Sequence, residues 1–208
     1  MNLNIAQKIF GIALVVLALM LAVSLYSVHL AANISDELDA VANKHLPVSE
    51  AATRVNLHVV EQAVALQELF GLIEAQANET ELTTGWAKYE ALRFRIIYEF
   101  ASARRQLKDD ESVPHTRAEI ISLERALTAI EDEYKTFEIT AEGLITLRKQ
   151  GDLAQFNSLL PALGARQETV DNEISALRRH ITDLTVAAVF RADRDEKRLR
   201  FAVVALTT

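Results

Sequence analysis

An uncharged apolar segment near the amino terminus constrains this chain more than any other feature of its sequence. The 27 residues from Ile9 to Ser35 contain no Asp, Glu, Lys or Arg. About 20 apolar residues are enough for a helix to cross the hydrocarbon core of a membrane. The sequence therefore predicts a short amino-terminal tail over residues 1–8 and a transmembrane helix over residues 9–32.

A cleaved signal peptide, which would leave a secreted helical protein, is the alternative interpretation of this segment. The apolar region of a signal peptide spans about 7–15 residues and ends at a small-residue cleavage site. This segment is longer, and Leu30 precedes Ala32 where a small residue is needed, so an uncleaved anchor is favoured. By the positive-inside rule, Lys8 predicts a cytoplasmic tail with the residues after Asp36 outside the membrane; the reverse orientation is the alternative, because basic residues at 194–200 would then lie inside.

Composition excludes several other classes of protein. The net charge of −7 at pH 7 argues against nucleic-acid binding, which needs clustered Lys and Arg. With no cysteine, the chain has no disulfides and no thiolate metal site. With only six Gly and three Pro in 208 residues, we expect few turns and long helices.

Beyond the anchor, apolar residues recur at spacings of four and three in four stretches. This spacing is typical of helices that pack along one another at small crossing angles. The four series are Ile34, Leu38, Val41, His45, Val48, Ala52, Val55, Val59, Gln62, Leu66, Leu69 and Ile73; Leu82, Trp86, Tyr89, Arg93, Ile96, Phe100, Ala103 and Leu107; Ile120, Leu123, Leu127, Ile130, Tyr134, Phe137, Ala141 and Leu144; and Val170, Ile174, Leu177, Ile181, Leu184 and Ala188. They predict an all-α fold, with an antiparallel up-down-up-down four-helix bundle over residues 33–200.

Turn and capping residues separate these stretches. Residues 78–85 and the polar residues 108–114 predict two breaks, and Gly151 followed by Asp152 predicts a helix end and a new N-cap. We expect Pro47 either to kink the first long helix or to start a new one. A short helix over residues 153–160 should end before Pro161.

The carboxyl-terminal residues 201–208 are apolar but far too few to cross a bilayer. We interpret them as the start of a second transmembrane helix; the alternative is a frayed apolar tail. We therefore expect the native chain to continue past Thr208, first through further uncharged residues and then through a basic boundary.

The pattern resembles the four-helix-bundle sensor domains of bacterial methyl-accepting chemotaxis proteins and related HAMP-containing sensor kinases and cyclases. The matching segments are IAQKIF at residues 5–10, HLPVS at 45–49, VEQ at 60–62, GDL at 151–153 and KRLR at 197–200. The resemblance implies a homodimer in the bacterial inner membrane whose extracytoplasmic domain binds a small molecule. It also implies that helix displacement carries the ligand state to a cytoplasmic relay and output domain.

The sequence holds no recognisable catalytic motif, so we expect neither an enzyme nor a cofactor. The six glycines are isolated, and no two of the five histidines are spaced as i and i+4, so neither a phosphate loop nor a helical metal motif is present. Acidic pairs such as Asp109 with Asp110 are typical of solvated helix faces. We therefore predict no metal site.

Polar residues within the apolar series are the candidates for a ligand site. His45 and Gln62 suit a role in fixing the register of the bundle. Arg93 is flanked by apolar residues and could pair with a carboxylate, either of a protein side chain such as Glu61 or of an acidic ligand. We predict that a ligand binds near Arg54, His58 and Arg93; the alternative is a membrane-anchored structural scaffold without a ligand.

Overall fold

The spacing of four and three does produce long helices. The computed structural model describes residues 5–108 and 114–207, and nearly all of them are helical. The helices are α1 (Ile5–Ala40), α2 (Leu46–Glu74), α3 (Glu79–Lys108), α4 (Pro114–Gln150) and α5 (Leu153–Thr207), and a π-helical turn (Val41–His45) joins α1 to α2. No strand occurs in these two ranges, and the predicted all-α class is confirmed.

The chain divides into two compact units. One consists of Asn43–Leu184 and the other of Met1–Ala42 together with Thr185–Thr208. The first unit holds α2, α3, α4 and the first part of α5, and the second holds α1 and the rest of α5.

The unit 43–184 has a core drawn from all four of its helices. Its largest fully buried side chains are those of Leu66, Leu69, Tyr89, Ile96, Leu107, Leu123, Leu127, Ile130, Phe137, Leu144, Ile174 and Leu177. All twelve belong to the apolar series identified in the sequence. The series therefore predicted the buried faces correctly, because a position that recurs every three or four residues stays on one side of a helix.

Capping hydrogen bonds and a glycine mark the helix ends at two turns. Between α2 and α3, the Glu81 N–H donates to Asn78 Oδ1 at 3.0 Å and the Asn78 N–H donates to Glu81 Oε2 at 3.3 Å, a reciprocal capping box. Between α4 and α5, Gly151 adopts a φ of +77° and the Gln155 N–H donates to Asp152 Oδ1 at 3.1 Å. The turn at Gly151 lies where the sequence predicted it, whereas the predicted break over 78–85 is too long, because α3 already begins at Glu79 and includes Gly85.

The two prolines within the helical stretches do not break the helices. Pro47 lies in the first turn of α2, directly after the π-helical turn, where its missing N–H matters least. The predicted separate helix over 153–160 is wrong, because α5 runs through Pro161 without a break. Pro161 and Asn157 are both exposed, so water can satisfy the Asn157 carbonyl that Pro161 leaves without an amide donor.

The second unit contains the apolar segment. The helix that starts before Ile9 is long and apolar enough to cross a membrane by length and composition; its apolar window of 18 residues has a mean hydropathy of 2.7 and no buried side chain. Within the same unit, the Arg191 guanidinium donates two hydrogen bonds to the Glu37 carboxylate, from Nε to Oε1 at 2.7 Å and from Nη2 to Oε2 at 2.8 Å. Residues 1–4 of the predicted tail, residues 109–113 of the predicted polar break and Thr208 lie outside the described residues.

Candidate ligand-binding site

Four polar side chains meet inside the unit 43–184, where apolar packing would be expected. Gln62 on α2 donates from Nε2 to Glu138 Oε1 on α4 at 2.6 Å. The hydroxyls of Tyr89 and Tyr134 lie 3.1 and 3.0 Å from the same carboxylate oxygen. The Tyr134 hydroxyl also lies 3.1 Å from Gln62 Oε1, so the cluster ties α2, α3 and α4 together.

Burial dominates the acid–base properties of this cluster. It raises the pKa of Glu138 above the usual value for a glutamate, although hydrogen bonds from Tyr134, Gln62 and Tyr89 and the charge of Arg93 oppose the rise. Burial and then the charge of Glu138 also raise the pKa of Tyr89 and of Tyr134. Both phenols therefore remain protonated at physiological pH; Tyr89 donates to the carboxylate, and the single hydrogen of Tyr134 is shared between Glu138 Oε1 and Gln62 Oε1.

Arg93 connects this buried cluster to the surface. Its Nε lies 2.8 Å from Glu138 Oε2, and its Nη1 lies 3.4 Å from both Glu90 Oε1 and Glu142 Oε1. The alignment at Glu138 is that of an ion pair and not of a hydrogen bond, so the buried Oε2 accepts no hydrogen bond among the described residues. Burial alone would lower the pKa of Arg93, but the charges of Glu138, Glu90 and Glu142 raise it overall.

A groove of about 720 Å³ opens between α3 and α4 beside Arg93. Binding sites for small molecules commonly enclose about 300–1,000 Å³ and combine an apolar lining with a few converging polar groups. The apolar part of this lining is formed by Ile97, Phe100, Ala101, Tyr134 and Ile139. The groove therefore has the size and character of a small-molecule site.

Of the three residues predicted for the ligand site, Arg54 and His58 meet at one surface cavity, because Glu99, the partner of Arg54, lines it with His58, whereas Arg93 lies elsewhere. Arg93 lines this groove. His58 lines a separate surface cavity and its Nδ1 contacts Glu61 Oε2 at 3.0 Å, while Arg54 Nε pairs with Glu99 Oε2 at 2.9 Å. The grouping of Arg54 and His58 with Arg93 stays a prediction.

The partner of Arg93 was not anticipated from the sequence. Glu138 is not one of the regularly spaced positions, and Tyr134 counted among the apolar ones. The available signals were that Glu138 follows the buried Phe137 directly and lies four residues after Tyr134, on the edge of the buried face. A buried Gln62 also requires a partner on another helix.

A second polar group lies elsewhere in this unit. The buried His45 has its Nε2 3.7 Å from Glu119 Oε2, and Ser122 Oγ lies 2.9 Å from His180 Nε2. Across residues 5–108 and 114–207, no three His, Asp or Glu side chains are grouped closely enough to hold a metal ion.

Comparisons with protein-family models, curated proteins and solved structures gave no match to this chain. The resemblance to chemoreceptor sensor domains therefore depends on the sequence pattern alone.

Proposed function

We propose that this chain is the signal-sensing module of a bacterial transmembrane receptor. In this proposal the unit 43–184 is an antiparallel up-down-up-down four-helix bundle outside the cytoplasm, anchored by the helix over residues 9–32. It binds a small molecule and passes the bound state to a cytoplasmic output domain. The module itself carries out no chemical reaction.

The observation that carries this proposal is the groove between α3 and α4. Its apolar lining adjoins Arg93, and Arg93 is ion-paired to the buried Glu138. A scaffold would gain nothing from an open groove beside an ion pair, because filling that space with apolar side chains would stabilise it more. A sensor needs such a space, since its ligand must displace water from it.

Helix continuity supports a route for the signal. The chain stays helical from Ile5 to Glu74 through α1, the π-helical turn and α2, and α5 continues from Leu153 to Thr207. Small shifts of whole helices are a common response to ligand binding.

The test is a ligand screen on the full chain reconstituted in lipid nanodiscs. The thermal unfolding midpoint is measured against a collection of small acids, amines, alcohols and sugars. A sensor should gain stability from at least one compound, because a ligand that binds only the folded state raises the midpoint. For a hit, hydrogen exchange should fall in α3 and α4 on binding.

A matched pair of variants links a hit to the groove. Ile139→Asn places a polar group at the groove, whereas Thr146→Asn changes an exposed residue of α4 that does not line it. The first variant should weaken the hit and the second should not. A screen in which no compound shifts the midpoint would favour the scaffold without a ligand.

A further inference from the structure

We infer that the groove between α3 and α4 binds an amphiphilic anion, a small organic acid with an apolar body. This inference rests on the proposed sensing function and specifies the chemical class of its ligand.

The charges that line the groove do not balance. Five are cationic and three are acidic, namely Arg93, Arg104, Arg105, Lys108 and Lys135 against Glu131, Glu138 and Glu142. The chain as a whole has the opposite sign, with a net charge of −7. An excess of positive charge in one groove of an acidic protein attracts an anion.

The acidic residues of the groove are already paired. Arg93 contacts Glu138 and Glu142, and Arg104 and Lys135 both contact Glu131. Among the residues that the structure describes, these contacts leave no carboxylate of the groove to neutralise the two remaining cations.

Those two cations lie close together near the end of α3. The Arg105 guanidinium carbon lies 5.8 Å from the centroid of the Tyr98 ring, and no ion pair reaches Arg105 or Lys108 from the described residues. Both side chains are exposed and can turn toward a ligand. An arginine beside a lysine suits a carboxylate, because the guanidinium can donate two parallel hydrogen bonds and the ammonium adds charge.

Apolar side chains provide for the rest of the ligand. Ile97 is 48% exposed and Ile139 is 71% exposed, and both line the groove. A ligand that covers them removes apolar surface from water, which is favourable. Ile97 precedes Arg105 by eight residues, or about 12 Å along a helix, so the head and the body of the ligand occupy separate parts of the groove.

Cations in the last turn of a helix also complement its dipole without any ligand. If Arg105 and Lys108 only stabilise the helix end, an acid, an amine and an alcohol of the same shape should bind the groove with similar affinity. A comparison of matched compounds can therefore separate the two explanations.

The test uses hexanoate, hexanol and hexylamine, which share one tail, on the full chain in phosphatidylcholine nanodiscs. Calorimetric titration should show that hexanoate binds most tightly and hexylamine least. The double variant Arg105→Gln with Lys108→Gln should weaken hexanoate by roughly tenfold or more, because two charge-assisted contacts are lost. Arg95→Gln removes an exposed cation of α3 outside the groove and should leave the affinity unchanged.

Two further arms complete the design. Ile139→Asn should weaken both hexanoate and hexanol, since it disturbs the site of the shared tail. Nanodiscs that contain phosphatidylglycerol distinguish a free acid from a lipid as the occupant of the groove. An anionic lipid that occupies the groove would compete with hexanoate and lower its affinity. An unchanged affinity for hexanoate would assign the groove to a free acid.

The outcomes separate this inference from the proposed function. If hexylamine or hexanol binds better than hexanoate and Ile139→Asn abolishes that binding, the inferred class is wrong and the sensing site stands. If the double variant and Arg95→Gln have equal effects on hexanoate, the cations serve the helix end and the inference fails. If neither this series nor the wider screen gives a ligand, both proposals fail.

Discussion

The Nε atom of Arg93 lies 2.8 Å from Oε2 of Glu138, and this contact joins an accessible side chain to a buried carboxylate. The Arg93 side chain is 35% exposed and that of Glu138 only 8%. Glu138 could not ionise in this position at an acceptable free energy without compensating donors and charge.

Arg93→Ala should destabilise the fold. It leaves the buried carboxylate without a cation, and we expect the free energy of unfolding to fall by roughly 1–3 kcal/mol, less than for a fully buried pair because Arg93 is partly exposed. Urea unfolding measures the change, with the exposed Arg95→Ala as the matched control. In a double-mutant cycle with Glu138→Gln, a coupling energy near zero would contradict an energetic link between the two residues.

The raised pKa of Glu138 gives the pH dependence of stability a defined sign. Between the usual glutamate pKa of 4.5 and its higher folded value, the folded state binds more protons than the unfolded state. Stability must therefore decrease as the pH rises through that window. Against Glu138→Gln, which cannot titrate, the wild type should lose free energy of unfolding as the pH rises from about 4.5. A difference that grows in the opposite direction would mean that Arg93 and the hydroxyls outweigh burial.

The two tyrosines of the cluster should differ in importance. Among the described residues, the Tyr134 hydroxyl contacts both Gln62 Oε1 and Glu138 Oε1, whereas the Tyr89 hydroxyl contacts only Glu138. Tyr134→Phe leaves the amide oxygen of the fully buried Gln62 without a donor from the described residues, so we expect a loss of about 1–3 kcal/mol. Tyr89→Phe should cost less, and chemical unfolding of both variants decides the order.

The sequence predicted the apolar core well and the polar cluster poorly, for a physical reason. Burial of Leu66, Ile96 or Phe137 follows from local helical periodicity, which a sequence displays directly. The contact between Gln62 and Glu138 joins residues 76 positions apart, and its partners are fixed only when helices pack. The groove is harder still to foresee, because it depends on which side chains fail to fill the space between α3 and α4.

Gly151 and Gly164 should respond oppositely to alanine. Gly151 ends α4 with a φ of +77°, where a Cβ atom is strained, so Gly151→Ala should cost about 1 kcal/mol or more. Gly164 lies inside α5 with no atom within 4 Å of an added Cβ, so Gly164→Ala should add roughly 0.5–1 kcal/mol. Thermal unfolding of the two variants tests the pair, and equal effects would contradict the assignment of the turn.

The outer face of α2 is the expected interface of the predicted homodimer. Exposed apolar side chains recur on this face at Leu57, Val60 and Val64, which are 55%, 46% and 49% exposed. Their spacing of three and four repeats that of the buried face, and a second copy of the same stripe would remove them from water. Weak association is sufficient, because membrane anchors hold copies at a high effective concentration.

Single cysteines test this face, since the chain has none of its own. Val60→Cys and Val64→Cys should each form a disulfide-linked dimer in oxidised membranes. Thr146→Cys, at an exposed position of α4, should remain monomeric under the same conditions. Equal cross-linking at all three positions would indicate random collision, and cross-linking at Thr146 alone would place the interface on α4.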